Sequence, residues 1–65
     1  MLEALHEIQS YFTESANGAH RHAIKALKRG DNITYDVLES ESKAFEHAAA
    51  FIGIYIKQHK LEGAE

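Results

Sequence analysis

Residues 48–56 read AAAFIGIYI, nine consecutive apolar or glycine positions in a chain of 65. Two readings compete for this stretch. Its β-branched and aromatic residues favour a strand. However, residues 39–50, ESESKAFEHAAA, lead straight into it with good helix formers and no turn signal, and there is no second strand for it to pair with. A helix is therefore expected. At 100° per residue, Phe51, Ile52, Ile54, Tyr55 and Ile56 then spread bulky apolar groups over about 200° of the circumference, and Ala49, Ala50 and Gly53 fill the rest. One neighbouring helix covers a stripe of about 100°. What covers the remainder is the question this chain poses.

Working outward, Leu38, Phe45, Ile52 and His59 recur seven apart, accompanied by Val37, Ala48, Ala49, Tyr55 and Ile56, so a helix is predicted over about residues 34–61. In the first half, Leu5, Ile8, Phe12, Ala16, Ala19, Ala23 and Leu27 follow at spacings of three or four, a helical rhythm predicted to run over about residues 2–29. Asn17-Gly18 interrupts the composition but not the phase, so a continuous helix is expected, weakened at most at that point. Between the two helices stands KRGDN, residues 28–32. Lys28 and Arg29 suit a helix C-terminus, Gly30 a left-handed cap, and Asp31, Asn32 or Thr34 the start of the next helix.

Two helices near 27 residues each, roughly 40 Å long, joined by a loop at about residues 30–33, must fold back as an antiparallel hairpin. The charges agree with this. HRHAIKALKR, residues 20–29, would lie beside Asp36, Glu39 and Glu41 at the loop end, and Glu3 and Glu7 beside Lys57 and Lys60 at the open end. Helix 1 carries small residues along its middle (Ser15, Ala16, Gly18, Ala19, Ala23), which Phe45 and Phe51 of helix 2 are expected to fill.

A single all-α domain over residues 1–65 follows, and its size raises a second point. A chain this short struggles to bury enough apolar area to offset its conformational entropy without a metal, disulfides or a second copy. There are no cysteines. The excess girth of residues 48–56 therefore predicts a homodimer, most simply a four-helix bundle, with Phe45, Ala49, Phe51, Ile52, Ile54, Tyr55 and Ile56 at the interface. The lack of cysteine and of a basic-then-apolar leader favours the cytoplasm, and no apolar run approaches the roughly 20 residues of a membrane span. The layout is similar to that of the repressor-of-primer family, short helical hairpins that dimerise into four-helix bundles and bind RNA hairpins. The likeness is one of layout and carries no residue over.

Candidate chemistry is sparse. Glu3 and His6 in EALH have the spacing of two metal ligands on one helical face, but no further inward carboxylates accompany them, and solvated helix-end residues are the simpler reading. His20 and His22 stand about 200° apart and cannot chelate one ion together. His22 falls near the core stripe, where Glu41, the one acidic residue at a core-like position, is a candidate partner, as are Ser15 and Lys25 for Glu41. His47 and His59 read as surface or interface-edge residues. No serine–histidine–acid set or glycine-rich phosphate loop can be assembled, so no enzyme activity and no cofactor are expected.

Seven basic and ten acidic side chains give a formal net charge of -3, a poor footprint for a general nucleic-acid binder. The expected function is that of a non-enzymatic regulator, adaptor or inhibitor, a helical homodimer acting on another protein. Its docking face would be whatever the dimer leaves of residues 48–56, Tyr55 included, or the acidic stretch with Tyr35, Asp36, Glu39 and Glu46. The alternative is an RNA- or DNA-binding regulator using His20, Arg21, Lys25, Lys28 and Arg29. Dipole complement and pairing with helix 2 are the favoured account of that basic group.

Overall fold

The computed structural model describes residues 2–63, with side chains through residue 60; residues 1, 64 and 65 of the expected domain lie outside the described residues. Two helices make up the fold, α1 (Leu2–Lys28) and α2 (Asn32–Gly63), packed antiparallel in a hairpin 54 Å long. The stretch 48–56 is helical throughout, and α1 runs unbroken through Asn17-Gly18. α2 begins two residues earlier than its periodicity indicates.

The turn has a defined cap at each side. Gly30 takes a φ of +81°, and the amides of Gly30 and Asp31 donate back to the carbonyls of Leu27 and Ala26, each at 2.9 Å. This is the Schellman arrangement, which closes off the last carbonyls of α1 and needs a residue without a Cβ at the left-handed position. Asp31 then caps α2, its carboxylate Oδ1 accepting from the Thr34 amide at 3.1 Å.

The seam is selected by small size more than by hydrophobicity. Ala16, Ala19, Ala23 and Ala26 of α1 are buried, as are Ser42, Ala49 and Ile56 of α2. Leu5, Gln9 and Phe12 extend the α1 line toward the open end, and Tyr35, Leu38, Phe45 and Ile52 complete that of α2, all half-buried. The α1 seam thus alternates spacings of four and three in a strict heptad sense, Leu5–Gln9–Phe12–Ala16–Ala19–Ala23–Ala26. The expected stripe drifts off this line at both ends. Ile8 and Leu27 stand 45% and 44% exposed, while Gln9 and Ala26 hold the seam positions.

Close approach explains the choice. With alanines along the α1 seam, side chains of one helix reach the backbone of the other: Ser42 Oγ donates to the Ala16 carbonyl at 2.9 Å, and Gln9 Nε2 to the Ala49 carbonyl at 3.2 Å. Gly53 leaves room for the Gln9 amide, since a Cβ there would stand 2.7 Å from Gln9 Nε2. Ile8 and Leu27 are displaced to the flanks. Phe45 packs beside Phe12, ring centroids 6.0 Å apart, as expected of a residue filling space in the seam. Phe51 does not; it faces away from α1 and is 77% exposed.

Two further expectations are corrected. Glu41 is exposed, and the buried polar position belongs to its neighbour Ser42, a neutral hydroxyl that avoids the desolvation a carboxylate would suffer there. His22 is also exposed and not in the core. Both residues lie about 100° from seam positions, Glu41 beside Ser42 and His22 beside Ala23, so one step around each helix separates interior from surface.

Candidate interaction surface

The two interhelical hydrogen bonds fix the register. Gln9 is level with Ala49 and Ala16 with Ser42, so each step forward along α1 is one step back along α2. Ile8 is then level with Ala50, and Phe51 with Glu7. Rotation about each axis at 100° per residue divides what lies outside the seam into two flanks.

One flank is charged. It carries Glu3, His6 and His20 from α1 and Glu39, Lys43, Glu46, Lys57 and Lys60 from α2, and across it His20 Nδ1 meets Glu39 Oε1 at 2.6 Å. This hydrogen bond joins the two helices toward the loop end. Arg21, Lys25, Lys28 and Arg29 are all exposed, and among the described residues no carboxylate lies within ion-pairing distance of them.

The other flank is apolar. Starting at the open end, α1 contributes Ala4, Ile8, Tyr11, Ser15 and Gly18, and α2 contributes Tyr55, Phe51, Ala48 and Ala44. None of these nine side chains is charged; Glu41 and His22 follow them toward the loop. Phe51 is 77% exposed, Tyr11 64%, Tyr55 52% and Ile8 45%. Val37, Ala44 and Phe51 are seven apart, so α2 carries a second apolar stripe behind the seam stripe of Leu38, Phe45 and Ile52. Two stripes on one helix are what make residues 48–56 apolar all round.

The seven residues expected at a dimer interface therefore divide. Ala49 and Ile56 are buried against α1, and Phe45 and Ile52 are half-buried in the same seam. Phe51, Ile54 and Tyr55 stand free, with Ile54 at the back of α2 and 57% exposed. Tyr11 went unnoticed in the sequence, although its spacing of three from Ile8 places both on one face. Tyr55 rests edge-on against His59, centroids 5.3 Å apart, so His59 belongs to the rim of this surface.

Glu3 and His6 are exposed, and no group of three or more histidine or acidic side chains among the described residues is placed to hold a metal ion. The detected hollow is lined by Gln9, Ser10, Thr13 and Glu14. Among the described residues no helix is long and apolar enough to cross a membrane. No protein-family model, curated protein or solved structure matches the chain.

Proposed function

We propose that this protein is a non-enzymatic interaction module, a helical homodimer that works as a small cytoplasmic regulator, adaptor or inhibitor by binding another protein. The observation that carries this reading is the exposure of Phe51, Tyr11 and Tyr55 on a flank without charge, which calls for a second copy, while Ile54, 57% exposed at the back of α2, is left for another protein. Soluble monomers rarely leave contiguous apolar patches of several hundred Å² uncovered unless the patch is used. The poverty of the seam supports the same reading. Its buried residues are alanines, one serine and one isoleucine, and no large side chain is fully enclosed, so a lone hairpin gains little from burial.

A second reading, recognition of structured RNA or DNA, is favoured by one observation. Exposed Arg21, Lys25 and Lys28 over the last two turns of α1, and Arg29 just beyond it, make no ion pair with α2 among the described residues, so pairing with α2 does not account for them. Acidic Asp36 and Glu39 stand on α2 at the same end, which weakens attraction for phosphate. Mass spectrometry of the complex captured from the source cell separates the two readings. A stoichiometric partner protein supports the first; co-purifying nucleic acid lost steeply with salt supports the second. Recovery of the chain alone removes both.

A further inference from the structure

We infer that the uncharged flank is the contact between two copies of this chain, related by a two-fold axis that passes through the open half of the hairpin near Ala48 and Phe51. The inference rests on the proposed homodimer and adds where its interface lies. Three arguments lead to a second copy as the occupant.

The first is area. At 77%, 64% and 52% exposure, Phe51, Tyr11 and Tyr55 leave roughly 400 Å² of aromatic surface in water. Symmetric pairing that covers it fully doubles this, and Ile8 with the flanking alanines brings the total to the ~1,000 Å² that a specific interface should clear.

The second is composition. Interface cores are depleted in charge and enriched in tyrosine and phenylalanine, with charged residues at the rim. The flank from Ala4 to Gly18 and from Ala44 to Tyr55 holds no charged side chain, whereas the opposite flank at the same levels carries Glu3, His6, Glu46 and Lys57.

The third is relief. Bulky Ile8, Tyr11, Phe51 and Tyr55 lie toward the open end of one surface and small Ser15, Gly18, Ala44 and Ala48 next to them toward the loop, so a two-fold axis between the two groups sets the projections of one copy against the shallow places of the other. A two-fold interface requires this self-complementarity, because each patch meets its own copy.

The chain has no cysteine, so single-cysteine variants report on this contact directly. Ala48→Cys lies on the inferred interface and keeps every large apolar residue; Thr13→Cys is exposed on the charged flank at a similar level. Under copper–phenanthroline oxidation, A48C is expected to run mainly as a covalent dimer and T13C as a monomer. Phe51→Glu is tolerated by the hairpin because residue 51 already faces solvent, which its far-ultraviolet circular dichroism checks. It should raise the dimer dissociation constant by roughly a thousandfold, since a large apolar group is lost from each copy. If the native chain dimerises but F51E does so equally well, or T13C cross-links as readily as A48C, the placement is overturned while the homodimer stands. If the native chain is a monomer at micromolar concentration, both fall.

Discussion

Gln9 and Gly53 occupy one another's space. The Gln9 amide crosses from α1 to the Ala49 carbonyl over a position where a Cβ on residue 53 would come to 2.7 Å. Gly53→Ala must push the amide aside, so the gain of about 1 kcal/mol in helix propensity is offset by a lost hydrogen bond of about the same size. Gln9→Ala alone should destabilise by about 1 kcal/mol, and in the G53A background by close to nothing. A double-mutant cycle in urea measures this coupling.

Gly18 is the contrasting case. A Cβ there meets only the end of Arg21, at 3.8 Å, an ordinary contact, and the position lies inside an unbroken helix. Gly18→Ala should therefore stabilise the hairpin by about 0.5–1 kcal/mol, read as a rise in melting temperature. Because Gly18 also lies on the uncharged flank, the same variant should leave self-association unchanged or slightly weakened.

The seam tolerates loss better than gain. Ser42→Ala removes one interhelical hydrogen bond and should cost about 1 kcal/mol, as the Ala16 carbonyl keeps its place in α1. Ala23→Leu adds bulk where no surface is exposed, and should cost about 1–3 kcal/mol or force the helices apart. Thermal denaturation of the two variants should rank A23L as the less stable.

Asp31 gives the turn an acid limb. Hydrogen bonds from the Thr34 side chain and then its backbone amide hold the Asp31 carboxyl below its ordinary 3.8, reinforced by the nearby Arg29 charge. A folded pKa lower than the unfolded one means that the cap's contribution is complete above about pH 4 and is lost as pH falls through the folded value. Asp31→Asn keeps a capping oxygen without titrating, so its melting temperature should fall less than that of the native chain between pH 5 and pH 2. Asp31→Ala should be less stable than both at pH 7.

The hairpin was legible because its signals are local and redundant. Periodicity, a glycine at the required turn and capping residues on either side all point to one arrangement. The seam was only partly legible, since hydrophobicity ranks Ile8 over Gln9 and Leu27 over Ala26, while close packing ranks them the other way. Ser42 and Gln9 look like surface residues until the second helix supplies a carbonyl within reach. The breadth of the apolar girth at residues 48–56 was evident, but its division between seam and flank was not. One step of 100° decides whether Phe51 or Ile52 faces α1, and only the register of α1 fixes that.

Sedimentation equilibrium of the native chain at micromolar concentration tests the central claim most directly. The uncharged flank predicts a species of twice the 7.3 kDa chain mass, shifting toward the single-chain mass in F51E. A native species of 7.3 kDa across that concentration range, with the helicity of the folded hairpin intact, would contradict it.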